Sequence, residues 1–177
     1  MEIIEKKFRD TTIANKKYVK RLTDYIYFLM DKERVVESKY YFDKLIALKP
    51  LHIKTNVLGY KLAIKTFDNE SVVKFDKLLC KQRYNEELLL TLQLQYYYSV
   101  NSKHNFSKVA CFLLNKKSLT EKTFSDIGLL ILSQDCYEPI AGLCKYLHKN
   151  NKSLHKTAES RVRKTVLHKL ITVLRAK

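Results

Sequence analysis

The 177-residue sequence predicts an all-α fold of about four helical hairpins stacked as an α-solenoid, closed by a C-terminal capping helix. The main observation behind this is a recurrence. Small residues stand at Ser38, Ser71, Ser107 and Gly142, separated by 33, 36 and 35 positions. Four positions after each comes a bulkier, mostly aromatic residue: Phe42, Phe75, Cys111 and Tyr146. A period in the mid-thirties suits a helix–turn–helix unit, which cannot bury its apolar face alone and must stack on its neighbours. Composition agrees. Three glycines and two prolines are too few for the frequent turns of a β-rich chain, and an apolar content of 46% is that of a globular protein. The competing reading is a compact bundle whose helix-plus-turn lengths imitate a period.

Taken in order, residues 2–10 form a short amphipathic segment with Ile3, Ile4 and Phe8 on one face. A helix over 16–30 carries Leu22, Tyr25, Ile26 and Leu29 at helical spacing, and the charged run Asp31-Lys32-Glu33-Arg34 turns the chain. The next helix reaches Leu48 and is stopped by Pro50. The second hairpin is expected over 52–66 and 70–82, the third over 86–100 and 105–116, and the fourth over 120–134 and 137–149. Pro139 is tolerated in the first turn of the last of these helices. Lys149-Asn150-Asn151-Lys152 reads as a linker to a final basic amphipathic helix over 153–175. The expected organisation is one helical-repeat domain over 1–177, with hairpins at 18–149.

These residues resemble the tetratricopeptide repeat, a unit of about 34 residues with small and aromatic positions at fixed offsets. The first unit matches best, with Leu22, Tyr25, Ile26 and Leu29, then Ser38, Phe42, Leu45 and Pro50. The second keeps Leu58-Gly59, Leu62, Ser71, Phe75 and Leu78, with Gly59 where that family brings its two helices close. The signature tryptophan is absent, since the chain has none.

In that family the first helix of each unit lines a concave groove. The resemblance therefore implies a ladder of Tyr27, Tyr60 and Tyr96 facing a partner, with Lys20, Thr23 and Asn56 on the same face. Tyrosine suits such a surface because it combines a large ring, few rotors and a polar tip. The alternative is that these rings are packing residues in a tyrosine-rich chain.

Charge is the other strong signal. The net charge is +16, and from Leu143 onward ten Lys/Arg face one acid, Glu159. Lys156, Arg161, Arg163, Lys164 and Lys169 form the candidate polyanion-binding set, with His168 beside them. A solvated capping face is the plainer account. No recognised nucleic-acid module is present, so any such binding would be backbone-directed and steeply salt-dependent.

No secretory signal opens the chain and no apolar run approaches a bilayer span. Cys80, Cys111, Cys136 and Cys144 lack C-x-x-C spacing and read as reduced residues of a cytoplasmic protein. Cys136, Cys144, His148 and His155 are a tempting but poorly spaced zinc set, and no metal or cofactor is expected. The Glu86-Glu87 pair follows Asn85 at a helix start, where a cap and dipole-matching acids belong. With no phosphate loop and no nucleophile motif, no catalytic residue is assigned. The expected function is a non-enzymatic adaptor or chaperone-like module that grips a protein segment, acidic segments included. The alternative is a basic helical nucleic-acid-binding accessory or regulatory protein.

Overall fold

A computed structural model of the chain describes residues 3–116, 119–134, 136–149, 168 and 171–172. Among them every regular element is helical. In chain order these are α1 (Ile3–Arg9), α2 (Tyr18–Asp31), α3 (Val35–Leu48), α4 (Ile53–Thr66), α5 (Asn69–Lys81), α6 (Glu86–Ser99), α7 (Lys103–Leu114), α8 (Glu121–Ser133) and α9 (Tyr137–Lys149). The hairpin helices fall where apolar periodicity placed them, to within a few residues. Of the expected terminal helix only His168, Ile171 and Thr172 are described, and these are helical.

Helix starts are written in the local sequence. Asp68 accepts a hydrogen bond from Ser71 N at 3.0 Å, Asn85 from Leu88 N at 3.1 Å and Thr120 from Thr123 N at 3.2 Å. Each satisfies an amide that the first helical turn leaves without a carbonyl. At the far end of α3, Pro50 follows the C-cap Lys49.

The turns α2–α3, α4–α5 and α6–α7 share one geometry. Glu33, Phe67 and Asn101 all adopt left-handed backbone, with φ of 57°, 54° and 52°. The residue after each sends its amide back five positions, from Arg34 to Leu29 O, Asp68 to Ala63 O and Ser102 to Tyr97 O. This is the Schellman closure, which satisfies carbonyls stranded at a helix end. The three turns are spaced 34 residues apart, and so are the starts of the second helices at Val35, Asn69, Lys103 and Tyr137.

That spacing differs from the one carried by the small residues. Ser38 is the fourth residue of α3, Ser71 the third of α5, Ser107 the fifth of α7 and Gly142 the sixth of α9. A helix advances about 100° per residue, so these four positions point in different directions. Their partners differ accordingly. Ser38 Oγ donates to Val35 O, Ser71 Oγ to Asp68 Oδ2 and Ser107 Oγ to Glu138 Oε2, while Gly142 faces Leu114.

By its internal contacts the chain divides into two compact units, Met1–Tyr84 and Asn85–Lys177. In the first, α1 packs on α2, α2 on α3, α3 on α4 and α4 on α5. Phe8 stacks on Tyr25 at 4.6 Å and holds α1 in place. The interior is made by fully buried Leu22, Ile26, Leu29, Leu45, Leu58 and Leu79. Phe42 and Phe75 are also buried, as their spacing required. In the second unit α6 packs on α7 and α8, and α9 on α7 and α8. Its core includes Leu94, Phe106, Leu113, Phe124, Ile127 and Leu143.

Candidate partner-binding surface

Three of the expected groove residues share one helix. Lys20, Thr23 and Tyr27 follow one another along α2, with Lys20 exposed and the other two half-buried. Thr23 Oγ1 donates to Val19 O at 2.8 Å, so its hydroxyl is engaged within the helix. The Tyr27 ring has Lys61 Nζ of α4 at 5.5 Å from its centroid. Burial pushes the Tyr27 phenol up, and the neighbouring Tyr84 adds to the effect. Beside Tyr27 a cleft of about 360 Å³ opens between α1 and α2, walled by Ile4, Lys7, Arg21, Asp24, Phe28 and Asp31. Arg21 is fixed there by donating to Lys7 O and to Thr11 Oγ1.

Tyr60 and Asn56 do not join this surface, contrary to the expectation of a partly exposed ladder. Tyr60 is 1% exposed and its hydroxyl donates to Asp76 Oδ1 of α5 at 3.4 Å. Asn56 is wholly buried. Its Nδ2 donates to Gln82 Oε1 at 3.1 Å, and Gln82 Nε2 in turn donates to Leu51 O at 2.8 Å. Among the described residues Asn56 Oδ1 has no hydrogen-bond partner. The reason is register. In the 34-residue spacing of the turns, Tyr60 corresponds to Ile26 and Leu94, both fully buried. Lys61 is the residue that corresponds to Tyr27. A spacing of 33 was one residue short, and one residue turns a side chain about 100° around a helix.

Tyr96 belongs to the second unit, where it is half-buried on α6 with its ring 5.4 Å from Tyr97. Lys61 and Tyr84 escaped the sequence reading. The signal that would have found Lys61 is the turn spacing, had the left-handed positions been legible.

The polyanion-binding set Lys156, Arg161, Arg163, Lys164 and Lys169 lies outside the described residues, as do His155 and the side chain of His148. The Glu86-Glu87 pair is structural. Glu86 pairs with Lys116. Burial alone would raise Glu87, but hydrogen bonds from Thr123 and Thr120, with Lys116 nearby, bring its carboxyl below the usual range. The four cysteines are free thiols, and burial pushes Cys80, Cys111 and Cys144 up, away from the reactive thiolate. Among the described residues no three His, Cys, Asp or Glu side chains are grouped to hold a metal, and no helix is long and apolar enough to cross a membrane.

Fold and surface together define a class: an all-helical protein of paired helices with a tyrosine–lysine face on α2 and α4. Compared with models of known families, with curated proteins and with solved structures, the chain matches none.

Proposed function

We propose that the chain is a non-enzymatic protein-binding adaptor or chaperone-like module of tetratricopeptide-like, solenoid architecture, which holds a partner segment along α2 of its first unit. The observation that carries the reading is Tyr27, a half-buried ring with Lys61 beside it and a cleft of mixed charge next to it. An extended polypeptide suits that chemistry. Its side chains cover the ring, its carbonyls and carboxylates meet Lys61, Lys20 and Lys7, and its amides meet Asp24 and Asp31. The groove on this reading comprises Lys20, Thr23, Tyr27 and Lys61. Tyr60 and Asn56 support it from within the core. The reading involves no cofactor and places the protein in the cytoplasm.

A photo-crosslinking amino acid at position 27 tests this in nuclease-treated extract. The expected result is one covalent protein adduct that is missing when the same group is placed at position 36, which is exposed at the start of α3. Tyr27→Ala should then weaken that complex by more than about 1 kcal/mol while the fold is kept. Equal adducts from both positions, or none from either, would overturn the reading. The net charge of +16 favours a second reading, a basic accessory to nucleic acid. It predicts that the adduct at position 27 is nucleic acid and disappears on nuclease treatment.

A further inference from the structure

The first unit has two ends, and one of them is unlike the rest of its surface. The Tyr25 and Tyr41 rings meet 5.1 Å apart across the antiparallel pair α2–α3, so the start of α2 lies beside the end of α3. The Tyr60–Asp76 contact likewise puts the start of α4 beside the end of α5, and the bond from Gln82 Nε2 to Leu51 O closes that corner. The segment before α2, the α3–α4 connection and the end of α5 therefore crowd one end.

Two kinds of residue are exposed there. The first is aliphatic and sits at loop tips and helix ends: Ile13 at 72%, Leu51 at 75%, and Leu48 and Ile53 at lesser values. The second is cationic: Lys16, Lys17, Lys49, Lys54, Lys81 and Arg83. No Asp or Glu occurs in residues 11–23, 44–67 or 77–85, the stretches that supply this end. The acids that bound these stretches along the chain are Asp10 and Asp24, Asp43 and Asp68, and Asp76 and Glu86.

We infer that this end of the first unit docks on an anionic lipid surface, with Leu51 and Ile13 entering the headgroup–acyl boundary and the lysines meeting lipid phosphates and carboxylates. The chemistry separates this occupant from the other polyanions. A nucleic-acid backbone or an acidic protein would engage the lysines. A nucleic acid leaves the exposed aliphatic residues unused, since they have no π face on which a base could stack, and an acidic segment uses them only where it carries apolar side chains of its own. At a bilayer interface the two residue classes act together, because apolar burial and cation attraction add.

The loop is also braced for this. Pro50 stiffens the chain, and the Asn56–Gln82–Leu51 relay pins the loop's backbone to α5. Little conformational freedom remains to be lost on docking. The buried Asn56 thereby has a role, which is to position the loop rather than to touch a ligand.

The 177-residue chain has no tryptophan, so Leu51→Trp places a single reporter at the tip. Vesicles of phosphatidylcholine and phosphatidylserine should move its emission to the blue and make it quenchable by a lipid-borne quencher. Phosphatidylcholine alone should leave it unchanged. In co-sedimentation with the same mixed vesicles, Leu51→Asp combined with Ile13→Asp should lose about tenfold or more in partitioning, with an unchanged helical melt. The pair Lys49→Glu and Lys54→Glu should lose at least as much. Undiminished pelleting of the Leu51→Asp, Ile13→Asp chain would overturn the inference, since another surface would then carry the binding. So would a reporter that stays water-like on mixed vesicles, or one that responds to duplex DNA or polyglutamate and not to the lipid.

Discussion

Phe42 and Phe75 meet edge to face across the bare backbone of Gly59, with ring centroids 5.9 Å apart and planes at 77°. A Cβ at position 59 would lie 2.6 Å from Phe42 Cζ and 2.7 Å from Phe75 Cε2. Gly59 sits in regular helix, so space and not backbone freedom explains the glycine. Three helices, α3, α4 and α5, converge on it.

Gly59→Ala should therefore destabilise the protein, although alanine is the better helix former by about 1 kcal/mol. Forcing a methyl between two rings costs about 1–3 kcal/mol, and the net loss should show in urea denaturation. Phe42→Ala removes one ring and should cost about 3–5 kcal/mol. In the Phe42→Ala background the added methyl should cost less, because a wall of its clash is gone.

Two tyrosines from the same expected ladder should behave in opposite ways. Tyr60→Ala empties a core position and should cost about 3 kcal/mol or more. Tyr27→Ala trims a half-buried ring and should cost about 1 kcal/mol. Denaturation midpoints of the two variants, measured side by side, decide whether Tyr60 belongs to the core.

Phe67 holds left-handed backbone with its ring 64% exposed. For a side chain with a Cβ that conformation costs about 1–2 kcal/mol. Phe67→Gly relieves the strain, gives back part of the gain as unfolded-chain entropy, and should raise stability by about 0.5–1 kcal/mol. Asn101→Gly should gain less, since asparagine tolerates the left-handed region. A lower melting temperature for Phe67→Gly would show that the ring, not the backbone, governs this turn.

Asp68 caps α5 through the Ser71 amide and hydroxyl, and those two bonds hold its carboxyl below the usual range. A carboxyl more acidic when folded than when unfolded stabilises fully at neutral pH, and that contribution is lost as pH falls through the folded value. Asp68→Ala should cost about 1 kcal/mol at neutral pH. The gap from the parent should narrow on acidification below about pH 4. Asp68→Asn keeps the cap and should show a flatter pH dependence, read from melts across that range.

Helix placement was legible from the sequence because its causes are local. Apolar spacing over one turn marked α2 through α9, Asp68, Asn85 and Thr120 mark helix starts by their side chains, and Pro50 marks a stop. The candidate surface was only half legible. Tyr27 was found, but Lys61 was missed and Tyr60 was put in its place, because the small residues carried a spacing of 33 where the turns keep 34. Of the left-handed positions in the turns α2–α3, α4–α5 and α6–α7, only Asn101 is a residue type that announces itself; Glu33 and Phe67 do not.

The sequence by itself determined that the chain is helical, to within a few residues where its hairpins turn, and that it is strongly basic, since propensity, capping and charge act within a few residues of their source. Tertiary structure alone decided which side of each helix became interior. Tyr60 reaches Asp76 sixteen residues away, Asn56 reaches Gln82, and Gly59 is shared by two rings from different helices. Burial depends on what a neighbouring helix presents. A single residue of register, about 100° of rotation, therefore separates a core tyrosine from a lysine on the surface.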